Sequence, residues 1–299
     1  MTDLLLPIYS RIRDLCIDYN TTRIVDMVHE SVQGTKFTRS LMYNHVLRCY
    51  QNSSEDSSYR DNDDEGFLFE MFHGSLCIGD DIMDNSNIRR GRPCYYLKRG
   101  MKGLRDSKFL IGLVNKLMDS DCVLIFRDTF FTTCIGQTLD TKNKKREEYI
   151  LHLYKKICEY KTGAYSVYLP LACGYIMSNK KIPEYLYDLS FIVGIIYQMQ
   201  DDFINFYPER SKKSESDLEE KKLTFFTCLL SREEDDRVNE YFESGILHPY
   251  IREKVFSYFD VYYKELNTMI KATKDMVKDE DKEVLKVVYD ILDIYLNQK

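Results

Sequence analysis

The sequence predicts an all-α fold, a single-domain bundle of roughly ten or more helices around a central apolar cavity, with residues 1–299 forming one domain. Three observations predict it. Apolar residues recur at three- and four-residue spacing over long stretches, which is the period of a helix face. Gly and Pro, which helix interiors exclude, number only 13 and 6 in 299 residues. Hardly any alternating apolar–polar run is bounded by turn residues at both ends, so the strand signal is weak.

Helical spacing runs through 67–84, 107–138, 149–178 and 184–205, and through 249–296 in two or three pieces. Polar stretches at 52–66 (NSSEDSSYRDNDDEG), 140–148 (DTKNKKREE) and 207–222 (YPERSKKSESDLEEKK) separate them as surface loops. Within 184–205 the run LSFIVGIIYQM is apolar on every side, a pattern that fits a helix buried all round, so it is expected at the centre. No shift in composition marks a domain boundary.

The net charge is −6 with acids and bases interspersed, so no basic face points to nucleic acid. An anionic ligand then needs local Lys/Arg clusters or metal ions to hold it against the global sign. Nine cysteines, an odd number with no CxxC pair, read as reduced thiols in a reducing compartment, and the expected address is cytoplasmic. The apolar run in MTDLLLPIYSRIRD is too short for a secretory signal. The apolar stretch FIVGIIYQM is about half of the ~18 residues that a membrane span needs, so no span is expected.

GDDIMDNSNIRRG (79–91) places Asp80, Asp81 and Asp84 at the end of a helical segment, just ahead of Arg89 and Arg90. On a helix, Asp80 and Asp84 share a face, with Leu76 and His73 further back on the same stripe. Like charges there repel, and acids at a helix C-terminus oppose the macrodipole, so a bound cation is the natural reason for them. A solvated acidic helix end is the competing reading. Against it, the preceding residues are apolar, and the pattern returns as QDDFINF (200–206), carrying Asp201 and Asp202 at the end of another apolar run. Two facing carboxylate sets suit Mg²⁺, which takes one or two carboxylates and completes its octahedron with water and phosphate oxygens. Arg89 and Arg90 then read as ligands of a diphosphate. GTKFTR (34–39) adds Lys36 and Arg39 at i,i+3, expected just inside a helix start, although a KxxR pair by itself is ordinarily an exposed face.

With these residues in view, the sequence resembles the trans-isoprenyl diphosphate synthases, the farnesyl and geranylgeranyl diphosphate synthase family, from about residue 30 to 230. DDIMDNSNIRRGRPCYY resembles the family's first aspartate-rich motif followed by RRGxP, YQMQDDFIN its second, and GTKFTR its GGKxxR segment. GQTLD (136–140), EYKTGAYSVYLPLA (159–172) and KSESDLEEKK match further blocks in order. The resemblance implies an isoprenoid synthase fold and a prenyltransferase that condenses isopentenyl diphosphate with dimethylallyl, geranyl or farnesyl diphosphate. It implies that Asp80, Asp84 and Asp201 ligate several Mg²⁺ ions, with Asp81 and Asp202 in an outer shell. Arg89, Lys161, Thr162, Gln198, Lys213 and Lys222 would hold the allylic diphosphate. Lys36, Arg39, His73 and Arg90 would hold the other diphosphate, and Gln137 and Asp140 would lie near the reacting carbons. A homodimer is also implied.

Departures from the family pattern matter. The second glycine of GGK is Thr35, the third acid of the second motif is Asn205, and His73 stands where farnesyl synthases carry Gln. Farnesyl synthases of this type place aromatic rings at the fourth and fifth residues before the first motif; here those positions are Leu76 and Ser75. Two small side chains deepen the pocket unless another ring, for instance from 107–138, fills it, which leaves a C15 or a C20 product open. A cyclase on the same fold and a non-catalytic regulatory subunit are the alternatives. A cyclase has no use for a second diphosphate site, and regulatory subunits typically lack the metal acids that this chain keeps.

Overall fold

A computed structural model of the chain describes residues 6–15, 21–51, 63–140, 144–207, 217–280, 286 and 288–293. It is built almost wholly of helices: α1 (Leu6–Leu15), α2 (Thr21–Val32), α3 (Thr38–Gln51), α4 (Asp63–Asp84), α5 (Tyr95–Arg99), α6 (Lys102–Leu117), α7 (Val123–Leu139), α8 (Leu151–Ile157), α9 (Leu169–Met177), α10 (Leu186–Ile204), α11 (Phe225–Leu230), α12 (Asp236–Ser244), α13 (Pro249–Phe256) and α14 (Phe259–Met276). The chain winds as a π-helix over Cys158–Tyr168, between α8 and α9. Among the described residues the sheet content is one hairpin, β1 (Ile88–Arg89) antiparallel to β2 (Arg92–Pro93). The all-α class is borne out.

The chain divides into two compact units, Met1–Asp128 with Leu169–Pro183, and Thr129–Tyr168 with Glu184–Lys299. In the first, α4 is the axis. Its FLFEMF run is buried on all sides, and Tyr43 of α3 lies against Phe69 with ring centroids 5.4 Å apart. Gly174 lets α9 approach α3 closely, since a Cβ there would sit 2.8 Å from the Val46 Cβ. The second unit is centred on α10, which shows no exposed residue between Leu189 and Met199, as its apolar run predicts. Gly163 and Gly194 bring the π-helical segment against α10 at backbone contact, where a Cβ on Gly194 would meet the Gly163 Cα at 2.6 Å. The same unit carries an aromatic core in which Phe203 and Tyr262 stack at 4.9 Å and Phe226 lies 5.5 Å from Tyr262.

Three boundaries differ from the sequence reading. The segment at 107–138 is two helices, α6 and α7, because Asp119 turns the chain: its side chain accepts the Asp121 N–H at 2.8 Å and its carbonyl accepts from Val123 at 3.0 Å. The polar stretch at 52–66 is helical from Asp63. Lys36 lies before α3 and not inside it, because Phe37 takes a left-handed φ of 53° and the helix starts at Thr38.

Candidate active site

In the first unit, α4 ends at Asp84, so the DDxxD acids occupy its last turn as the spacing predicts. The three do not share one environment. Asp81 is buried at 3% exposure, and burial raises its pKa against the lowering effect of Arg89. The Asp80 side chain is 23% exposed, and Asp84 is also part-exposed. Arg89 reaches back from the hairpin, donating through Nε to Asp81 Oδ1 at 2.6 Å and through Nη2 to Asp80 Oδ2 at 3.4 Å. The hairpin makes this reach possible. Arg90 and Gly91 are its two central residues, with φ of 54° and 73°, the positive values that a tight two-residue turn requires.

Arg90 points to a second cluster. It donates through Nη2 to His73 Nε2 at 2.9 Å and through Nη1 to the Gln33 carbonyl at 3.3 Å. Burial and the guanidiniums of Arg39, Arg90 and Arg89 hold the His73 imidazole well below its usual pKa, so it is neutral and accepts. Arg39 is buried and faces Glu70, whose Oε2 lies 3.8 Å from its Nη1. Glu70 Oε1 accepts the N–H groups of Arg39 at 2.8 Å and Ser40 at 3.3 Å, an anion at the start of α3. Glu70 escaped the sequence reading. The signal was there, since it is the one acid in the apolar run 67–79. Lys36 is exposed in the loop ahead of this cluster.

Below the acids, Ser75 is fully buried and its hydroxyl donates to the Phe72 carbonyl of its own helix at 2.6 Å. Leu76 is part-buried. The ring that α7 brings to this stretch is Phe126, edge-on to Phe72 with centroids 5.0 Å apart.

In the second unit the π-helical segment presents Lys161 and Thr162. Lys161 Nζ donates to Asp140 Oδ2 at 2.6 Å. Lys144, another residue the motifs did not flag, adds charge there, and burial lowers its pKa. Gly136, one residue before Gln137, passes the backbone of Tyr160 so closely that a Cβ would come within 2.6 Å of its carbonyl carbon. Thr162 Oγ1 donates to Gln198 Oε1 at 3.3 Å, and Gln198 Nε2 donates to Asp202 Oδ1 at 3.1 Å. Asp202 is buried, and its other oxygen accepts the Phe225 N–H at the start of α11 at 3.0 Å. Burial, with Asp217 adding to it, pushes the Asp202 carboxyl up to about 8, against the hydrogen bonds from Phe225 and Gln198. Asp201 is part-exposed beside it. Lys222 Nζ sits 2.9 Å from Glu220, and Lys213 lies outside the described residues.

Comparison with known proteins decides the class. The polyprenyl synthetase family model matches residues 21–249. The chain belongs to that family. Among curated relatives, polyprenyl synthetases are again what it matches: farnesyl pyrophosphate synthase 1 of Lupinus albus is 29% identical over 71% of this chain and 69% of its own length. Geranylgeranyl pyrophosphate synthase of Schizosaccharomyces pombe is 29% identical over 70% and 65%. Among solved structures, farnesyl diphosphate synthase of T. brucei, complexed with a bisphosphonate, superposes with a TM-score of 0.80 at 20% identity, covering 100% of this chain and 97% of that one. Polyprenyl synthetase membership bears out the prenyltransferase class read from the motifs.

Proposed function

We propose that the protein is a short-chain prenyl diphosphate synthase that joins isopentenyl diphosphate to an allylic diphosphate, releasing pyrophosphate and lengthening the chain by five carbons. The observation that carries this reading is the Arg89 guanidinium lying across Asp80 and Asp81. The acidic end of α4 already holds a cation, so its donor set fits one. Among the described residues no three acidic, His or Cys side chains stand together in metal-holding geometry by themselves. The fit therefore rests on hard carboxylate oxygens that a diphosphate completes, which is the ligand set Mg²⁺ prefers. Asp80, Asp84 and Asp201 would hold the ions, and Asp81 and Asp202 would anchor the two helix ends. Bound Mg²⁺ supplies positive charge to the pyrophosphate as it leaves.

The protein's own residues do the remaining work. Arg89 is released from Asp80 when other cations arrive, and its planar fork then turns to phosphate oxygens. Lys161, with Asp140 as its partner, and Thr162 and Gln198, tied to each other, hold the allylic diphosphate from the second unit, with Lys222 and Lys213 in support. Lys36, Arg39 and Arg90 hold the second diphosphate. Neutral His73 orients Arg90 by accepting its N–H and adds no charge of its own. Gln137 and Asp140 flank the reacting carbons, and Ser75 and Leu76 form the pocket floor. With no ring at either floor position, the product is farnesyl or geranylgeranyl diphosphate. The intact cationic set around Arg90 argues against a cyclase, and the retained acids argue against a regulatory subunit.

We further propose one catalytic domain acting as a homodimer in the cytoplasm. On α7, Phe131 and Ile135 stand i,i+4 with exposures of 68% and 38%, an apolar pair that a second copy would cover. Eight described cysteines are free, in keeping with a reducing compartment, and no described helix is long and apolar enough to cross a membrane. The direct test is Asp80→Ala and Asp201→Ala, assayed with Mg²⁺ and both diphosphates. Turnover is expected to fall by orders of magnitude with the helical circular dichroism unchanged, and full activity in either variant would refute the metal assignment.

A further inference from the structure

The stretch from Arg89 to Lys108 carries eight Lys/Arg and one acid, Asp106, in a chain whose net charge is −6. The site described above uses two of those cations, Arg89 and Arg90. The others collect on one surface of the first unit. Asp106, buried on α6, draws in Arg105 at 2.8 Å, Arg99 at 3.1 Å and, from α2, Arg23 at 3.8 Å. The Tyr95 hydroxyl donates to the same carboxylate at 3.0 Å. One carboxylate among three guanidiniums leaves two positive charges over. Lys98 touches Glu30 only at 3.7 Å with its side chain 61% exposed, and Lys102 is exposed one turn before Arg105. Five cations thus meet the two carboxylates named here, Asp106 and Glu30.

Apolar side chains rise from the middle of this charge. Met101, in the turn between α5 and α6, is 71% exposed, and Leu97 is 47% exposed. That turn is fixed and not loose. Gly103 packs against Tyr96 so closely that a Cβ would sit 3.2 Å from the Tyr96 Cβ, with the Ile82 side chain of α4 at 3.6 Å. The patch is therefore anchored beside the last turn of α4, which carries Asp80 and Asp84.

We propose that this face docks on the surface of a membrane containing anionic phospholipid, Leu97 and Met101 entering the headgroup layer and the surrounding cations holding lipid phosphates. Aliphatic tips inside a ring of Lys and Arg form the interfacial pattern. A nucleic acid gains nothing from the aliphatic tips. A second copy of this chain would bring like charges together. The placement suits the proposed function, on which only its purpose rests. A prenyl diphosphate is an amphiphile, and a synthase docked through the neighbourhood of α4 delivers it at the interface where its chain partitions.

The test uses the full chain without substrates, so its outcome does not depend on prenyl transfer. Sedimentation with phosphatidylcholine vesicles is compared with vesicles of phosphatidylcholine mixed with phosphatidylserine. The protein is expected to pellet with the mixed vesicles alone, and to be released at high salt. The double variant Lys98→Glu, Lys102→Glu should bind them about a hundredfold more weakly or worse, from roughly a fivefold loss per unit of charge near the surface. Leu97→Ser with Met101→Ser should weaken binding while keeping its salt dependence. Prenyl transfer in solution should be unchanged in both, which shows that they are folded. Absent binding, equal binding to both vesicle types, or binding untouched by charge reversal overturns the proposal. So does a change of oligomeric mass in the charge-reversed variant, which would assign the face to a second copy.

Discussion

Asp202→Asn offers the sharpest test of how the second acidic motif is built. In the folded chain the Asp202 carboxyl is pushed from 3.8 up to about 8, with burial as the largest cause, Asp217 adding to it, and Phe225, Gln198 and Tyr154 opposing it. Between those two values the folded state binds one proton that the unfolded state has released. Stability is therefore highest below about pH 4 for this group and falls as pH rises toward 8, by about 1.4 kcal/mol per pH unit. From pH 5 to 7 the loss is about 3 kcal/mol, or roughly 5 °C in Tm at about 2 °C per kcal/mol for a chain of this length. Asn keeps an oxygen for the Phe225 N–H and cannot ionise. In Mg²⁺-free buffer, thermal unfolding followed by circular dichroism should show the gap between variant and parent widening by about that amount, in the variant's favour, from pH 5 to 7. Other titrating groups are common to both proteins and cancel in the difference. Parallel Tm curves across that range would refute a buried, proton-retaining Asp202.

Leu76→Phe restores a ring one turn below Asp80 and should shorten the product, read by chromatography of the dephosphorylated alcohols; an unchanged spectrum would move the floor to the Phe72–Phe126 pair. Gly194→Ala forces a Cβ to within 2.6 Å of the Gly163 Cα and 2.9 Å of its nitrogen, both backbone atoms. Such overpacking should cost about 3 kcal/mol, roughly a 5 °C drop in Tm, and reduce turnover by shifting the adjacent Thr162; a parent-like Tm would contradict the close packing. Glu70→Ala strips the acceptor from two N–H groups and the partner from buried Arg39. It should destabilise by about 3–5 kcal/mol in urea titration, with Glu70→Gln recovering part of the loss by keeping an acceptor.

Much of this was legible in the sequence because it depends on local spacing. The end of α4 at Asp84, the buried length of α10 and the reach of Arg89 toward the acids follow from helical period and turn residues. What was not legible depends on contacts between distant segments. The break at Asp119 comes from one carboxylate capping its own turn, inside a stretch whose apolar spacing continues on both sides. The π-helical winding of Cys158–Tyr168 has no signature in residue type. It accompanies the backbone contact of Gly163 on Gly194, from a helix nearly thirty residues on. Glu70 looked like an interruption of an apolar run until its partners on α3 were visible.

The echo between GDDIMDN and QDDFINF carries more than its repetition. In both, the first acid of the pair is part-exposed and the second is buried and engaged: Asp81 with Arg89 of the hairpin, Asp202 with Gln198 and the start of α11. An ion-binding carboxylate must stay solvated enough to remain charged, while a helix end that carries it must not move when the ion leaves. One residue cannot meet both demands, because the burial that fixes a carboxylate also raises its pKa. Adjacent aspartates divide the task, about 100° apart around the helix, one turned to the ion and one to the scaffold. On this reasoning, exchanging the roles fails in either motif. Asp81→Asn should leave Mg²⁺ affinity nearly intact while loosening Arg89, seen as a raised KM for the allylic diphosphate. Asp80→Asn should instead lower kcat steeply and weaken Mg²⁺ binding. Equal losses in both parameters for the two variants would show that the paired acids act as one ligand set, and the division of labour would be wrong.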